Sequence, residues 1–190
     1  MDLPALATAA GTLMAYLDER GRPACLIGGI VVSRWGEPRA TTDVDATVLT
    51  EFGEESHVLR DLLARFPSRV TSPEEFAAAN RIALLLLPGG IGSDVSFAAF
   101  PFEREVIERA TAWQIDARLS LRTCSAEDLI VYKLVAGRPG DIQDIISVVG
   151  RQRDGLDIDL IRRWGREFAE LKEDPDLLRP FEDAWRRFAG

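Results

Sequence analysis

The stretch Asp43–Val44–Asp45–Ala46–Thr47–Val48–Leu49 restricts what this chain can fold into more than any other segment. Polar and apolar residues alternate along it. Side chains two apart on a strand share a face, so the pattern predicts a strand with Asp43, Asp45 and Thr47 on one side and Val44, Ala46 and Val48 on the other. Two carboxylates on the open face of a strand repel each other unless a cation lies between them. Ahead of it, separated by thirteen residues and following the short apolar run Ala24–Ile27, stands Gly28–Gly29. Glycines at a strand-to-helix turn let backbone amides approach a phosphate closely, and the helix that follows adds its partial positive N-terminus. Gly-Gly turns and Asp-x-Asp pairs are each common, and either alone says little. Their order and spacing, with the alternation, point to phosphoryl chemistry on divalent cations. Two such ions about 4 Å apart stabilise both the attacking and the leaving oxygen.

A third carboxylate is expected, and Asp94 is the candidate. Arg81–Leu87 reads as an apolar strand, Pro88–Gly92 as a turn, and Ser93–Ala98 as the hairpin partner, with Asp94 and Ser96 on one face. If that strand pairs with the Asp43 strand, Asp94 joins the other two. The Pro88–Gly92 loop lacks a following Lys-Ser/Thr and reads as an ordinary turn rather than a phosphate loop.

The remaining elements follow from periodicity. Leu6–Arg20 is an amphipathic helix with Leu6, Ala10, Leu13, Met14 and Leu17 on one face. A short helix runs from the glycine turn to about Trp35, broken by Gly36 and Pro38. Further helices are expected at Glu54–Phe66, Pro73–Asn80 and Phe102–Ala110, and one or two strands within Trp113–Thr123. At Ser125 the character changes. Ser125 with Asp128 makes a capping-box-like helix start through Ala136. Gly137–Arg138–Pro139–Gly140 interrupts, and helices follow at Asp141–Gly150, Leu156–Lys172 and Pro175–Phe188. The expected fold class is α+β: a mixed sheet core with flanking helices over residues 1–124, then a helical C-terminal region, residues 125–190, that completes the site.

Bulk properties exclude several classes. The chain has 190 residues, 31 Asp and Glu against 23 Lys and Arg, and a formal net charge of −8. Non-specific duplex binding depends on basic surfaces and is disfavoured. His57 is the only histidine, in an acidic run, and Cys25 and Cys124 lie far apart. A zinc site and a Ser-His-Asp triad are therefore unsupported, and both thiols are expected to be buried and free. The N-terminus lacks the basic region and apolar core of a secretion signal, and no apolar run approaches about 18 residues. A cytoplasmic enzyme without a membrane span is expected.

The run Ile27–Gly28–Gly29–Ile30–Val31–Val32, with Arg39–Ala40–Thr41–Thr42–Asp43–Val44–Asp45, resembles the signature of the nucleotidyltransferase superfamily. More narrowly, it is similar to the minimal nucleotidyltransferases that include the AbiEii-like abortive-infection toxins. Arg39, Thr41, Asp43 and Asp45 match that group's Arg-x-Thr-x-Asp-hydrophobic-Asp run. Glu127–Asp128–Leu129–Ile130–Val131–Tyr132–Lys133 and Gly137–Arg138–Pro139–Gly140–Asp141–Ile142–Gln143–Asp144 resemble its second motif. The resemblance spans roughly residues 20–150; the chain's own Ser33–Arg34–Trp35 departs from it.

The resemblance implies a metal-dependent nucleotidyltransferase that moves a nucleoside monophosphate from an NTP to a hydroxyl acceptor: an RNA end, a protein side chain or a small molecule. Asp43, Asp45 and Asp94 would hold Mg2+ or Mn2+, with Asp94 as ligand or base. Gly28 and Gly29 would meet the triphosphate. Lys133 would act as a catalytic phosphate contact or would snorkel at the surface. Arg39, Thr41, Arg138 and Asp141 join the nucleotide-binding set. Three of these have structural alternatives: Arg39 pairing with a carboxylate, Arg138 capping the C-terminus of the preceding helix, and Asp141 capping its own helix. Asp144 reads as a solvated or paired helix residue. A toxin would add an antitoxin protein as partner. The other reading is a catalytically weak nucleotide- or partner-binding module of the same fold.

Overall fold

The computed structural model describes residues 3–188. Along the chain run α1 (Leu3–Glu19), β1 (Ala24–Ile27), α2 (Gly28–Trp35), β2 (Asp43–Leu49), α3 (Glu55–Leu63), α4 (Pro73–Asn80), β3 (Ile82–Leu87), β4 (Ile91–Ala98), α5 (Pro101–Arg109), β5 (Thr111–Gln114), β6 (Ser120–Thr123), α6 (Ala126–Ala136), α7 (Pro139–Gln152), α8 (Ile158–Leu171) and α9 (Arg179–Phe188). These elements form two compact units. The first runs to Ile30 and then from Ala40 to Cys124; the second takes Val31–Arg39 and the chain from Ser125 onward.

The first unit is a mixed sheet ordered β3-β4-β2-β1-β6-β5. β2 is antiparallel to β1 and parallel to β4, and β3–β4 is an antiparallel hairpin. Its turn is a 3-10 segment, Pro88–Gly90, with positive φ at Gly89 and Gly90. Consequently β4 begins at Ile91, two residues before the start expected from the sequence. Arg81 likewise belongs to the left-handed end of α4 rather than to β3.

The alternation in β2 fixes which side is core. Val44, Ala46 and Val48 are fully buried, as are Leu6, Leu13 and Leu17 on one face of α1, a helix that packs against β1, β2 and β6. The opposite face of β2 is only partly polar. Asp43 and Asp45 are half-buried, whereas Thr47, expected to share their open side, is completely buried.

The second unit is helical. α6 packs on α7 and α8, and α7 packs on α9. Ser125 caps α6 by accepting from the Asp128 amide at 3.1 Å, and Gly137 closes it in the left-handed conformation. Pro139 starts α7 in its first turn, where its missing N–H costs nothing; Pro139–Gly140 is therefore part of α7, not a break before it. The segment 31–39 is tied to α7 by side chains on that helix. Gln152 donates to the Trp35 carbonyl at 2.7 Å, Arg151 to the Gly36 carbonyl at 2.6 Å, and Ser147 Oγ accepts from the Glu37 amide. Two of these contacts satisfy carbonyls at the end of α2, which lack intrahelical partners.

Candidate active site

In the first unit the site is a row across the sheet. Ile27 pairs with Asp45, Asp45 with Asp94, and Asp94 with Leu84. Paired residues on neighbouring strands project to the same face, so Asp45 and Asp94 stand side by side, with Asp43 two residues along β2. Asp43 Oδ1 accepts a hydrogen bond from Thr41 Oγ1 at 3.0 Å. Asp45 Oδ2 faces the glycine turn and lies 3.4 Å from the Gly29 amide. Gly28 has φ +70°, and a Cβ there would sit 1.9 Å from Asp45 Oδ2. Both conditions restrict position 28 to glycine. Gly28, Gly29, Thr41, Asp43, Asp45 and Asp94 are thus gathered in one unit.

Arg69 is a member of this group that sequence reasoning did not single out. Its guanidinium donates to Asp94 Oδ1. Arg69 comes from an irregular segment hydrogen-bonded along the outer edge of β3: the Arg69 amide donates to the Leu84 carbonyl at 2.9 Å, and the Leu86 amide to the Pro67 carbonyl at 2.8 Å. A signal was present in Gly92. A glycine inside a strand marks a place where another group approaches closely, and the space beside Gly92 is taken by the Arg69 side chain.

In the second unit four charged side chains form a closed cluster. Lys133 Nζ donates to Asp141 Oδ1 and lies equally close, 2.8 Å, to Asp144 Oδ2. Arg39 grips Asp144 in a two-pronged bond of 2.6 and 2.7 Å. Asp141 also accepts from the Arg138 amide at 3.1 Å, capping α7. The side chains of Lys133, Asp141 and Asp144 are 10%, 8% and 3% exposed. Burial pushes the Asp144 carboxyl up, but hydrogen bonds from Arg39 and Lys133 outweigh it and hold the carboxyl below its ordinary range. Lys133 is therefore a buried ion-pair member rather than a surface lysine. Arg138 is exposed at the start of α7, and Arg34 stacks on the Trp35 ring at 4.1 Å. His57 is exposed beside Asp61, and both cysteines are buried thiols outside any disulfide.

Residues 5–185 match the family described as nucleotidyltransferase of unknown function (DUF6036). The chain belongs to that family. As a nucleotidyltransferase it is a transferase of phosphorus-containing groups. No curated protein matches the sequence. Among solved structures, this nucleotidyltransferase is similar in fold to an antigenic nucleotidyltransferase-like protein from Paracoccidioides brasiliensis, at 18% identity and TM-score 0.54, with 93% of this chain and 92% of that one covered. It is also similar to the antibiotic-resistance factor ANT(2'')-Ia, at 16% identity and TM-score 0.50, with 100% and 95% covered.

The nucleotidyltransferase fold implies a divalent cation, and the donor chemistry of the first unit fits one. Asp43 and Asp45 offer hard oxygen ligands from one strand face, the kind that suit Mg2+ and Mn2+ and not a thiolate metal. The Asp94 carboxylate is engaged by Arg69. Among the described residues, no three acidic, histidine or cysteine side chains converge as a ready metal-binding group. No helix among them is long and apolar enough to cross a membrane.

Proposed function

We propose that this nucleotidyltransferase moves a nucleoside monophosphate from an NTP to a hydroxyl acceptor, using Asp43 and Asp45 as the principal cation ligands and Asp94 beside them. The observation that carries this reading is the register of Asp45 with Asp94, next to a glycine turn that leaves Asp45 no room for a side chain at position 28.

A divalent cation held there would polarise the acceptor oxygen and offset charge on the departing pyrophosphate. The chain's own residues do the rest by position. Thr41 orients Asp43, and the Gly29 amide orients Asp45. The open turn at Gly28–Gly29 admits a triphosphate to backbone N–H groups at the start of α2. Catalysis of this kind is mainly placement and charge stabilisation.

For the acceptor, the acidic composition favours a small molecule or a protein hydroxyl over a long nucleic acid. A fold shared with an antibiotic-resistance factor is in keeping with a small-molecule hydroxyl. The test is transfer of label from α-labelled NTPs in Mg2+ to pools of small polyols, RNA and protein. Transfer by wild type that Asp45→Asn abolishes supports the reading. Equal labelling by both proteins counts against it. If the chain is a toxin paired with an antitoxin, its expression arrests growth and Asp45→Asn relieves the arrest; harmless expression of active enzyme removes that version.

A further inference from the structure

We infer that Arg69 is a functional residue of the carboxylate site: it neutralises Asp94 until a divalent cation takes that carboxylate, and then turns to the phosphate that arrives with the cation. The inference rests on the nucleotidyl-transfer reading above and assigns that site an anion ligand.

Three observations carry it. The first is delivery. The backbone on either side of Arg69 is fixed to β3, by the Arg69–Leu84 and Leu86–Pro67 hydrogen bonds and an isolated bridge between Ser68 and Leu85. The side chain is thereby sent across the sheet edge onto the face that carries the aspartates.

The second is clearance. A Cβ at Gly92 would meet Arg69 Nη1 at 3.3 Å and its Cζ at 3.6 Å. Gly92 pairs with Asp43 across the β2–β4 ladder. The guanidinium therefore lies over the strand position beside Asp43 while it bonds Asp94, within reach of whatever those two carboxylates hold.

The third is magnitude. Among the cations engaged by candidate site carboxylates, Lys133 lies between two buried aspartates, and separating such a pair costs several kcal/mol. Arg69 and Asp94 are 32% and 43% exposed. A pair this open is worth about 0–1 kcal/mol, so a divalent cation displaces the guanidinium at little cost. The freed guanidinium is a planar, always-charged fork matched to phosphate oxygens. Displacement also releases Asp94 to join Asp43 and Asp45.

Calorimetry on the full chain tests this with two probes: Mn2+ alone, and a nonhydrolysable NTP analogue in Mg2+. Arg69→Gln removes the charge and leaves the backbone ladder intact. It is expected to tighten Mn2+ binding about two- to fivefold, because a competing cation is gone, and to weaken the analogue about tenfold. Arg69→Lys, which keeps a charge without the fork, should fall between on both. Arg69→Gln with both affinities unchanged, or with weaker Mn2+ binding, overturns the role of Arg69. Asp45→Asn in the same series separates the two levels. Binding that depends on Asp45 but not on Arg69 leaves nucleotidyl transfer standing and removes this inference, whereas binding indifferent to Asp45 removes both.

Discussion

Asp45 Oδ2 occupies the place where a side chain at Gly28 would begin, 1.9 Å from the position of a Cβ. Sequence, turn and site are coupled at this point, since the residue that makes the turn is also the residue that leaves the carboxylate its room.

Gly28→Ala should therefore destabilise the protein by about 2–3 kcal/mol, combining overpacking with the cost of a left-handed alanine. In an Asp45→Ala background the carboxylate contacts go, although the Cβ of residue 45 still lies 2.7 Å away, so the cost of Gly28→Ala should fall by about 1 kcal/mol without vanishing. Urea denaturation of the two single variants and the double variant measures the coupling. Additive costs would show that the two residues do not share space.

Asp144 joins Arg39 to Lys133. Asp144→Asn leaves Lys133 one carboxylate and takes the ion pair from Arg39. Breaking a buried pair in this way should cost about 3 kcal/mol, visible as a lower denaturation midpoint. A change below about 0.5 kcal/mol would mean that the cluster is solvated in solution.

The same cluster sets an acid dependence. Asp144 is held below the ordinary aspartate range, near 3.9, by Arg39 and Lys133 against the effect of burial. Asp61 is lowered by Arg22, and Glu182 by Arg162. A depressed carboxyl contributes stability that is complete above its unfolded-state value and is lost as pH falls through the folded one. Stability should thus be level near neutrality and decline below about pH 4. In Asp144→Asn the decline should be shallower, as read from denaturation midpoints between neutral pH and pH 3. An unchanged slope would remove Asp144 from this account.

Gly165 on α8 is pressed against Leu178, which a Cβ would meet at 2.3 Å. Gly165→Ala is expected to cost about 1–2 kcal/mol despite the better helix propensity of alanine. Adding Leu178→Ala should relieve much of that cost. A stabilised Gly165→Ala protein would show that Leu178 moves aside freely.

Much of the first unit could be read from the sequence because its signals are local. The alternation over Asp43–Leu49 and the Gly28–Gly29 turn define β2 and the end of β1 to the residue. Strand alternation puts Asp94 on the polar face of its strand, whereas the parallel β2–β4 register that sets it opposite Asp45 is a property of the fold. Nothing in the sequence around Arg69 marks it, because its place beside Asp94 depends on a non-local edge contact with β3 and on the missing side chain at Gly92. Thr47 continues the polar pattern of β2 but is buried, since alternation assigns a face without saying how much of it is covered. The second motif could be read as a set of charged residues. Its pairing could not: that Lys133 lies between Asp141 and Asp144 depends on how α6 meets α7.

The central claim is a nucleotide site built on Asp43 and Asp45, and it is tested most directly by calorimetric titration of the four NTPs in Mg2+, on wild type and Asp45→Asn. The account predicts that wild type binds at least one NTP, that binding disappears when Mg2+ is chelated, and that Asp45→Asn fails to bind while unfolding cooperatively. Binding of equal strength by Asp45→Asn, or no binding of any NTP by folded wild type, would contradict it.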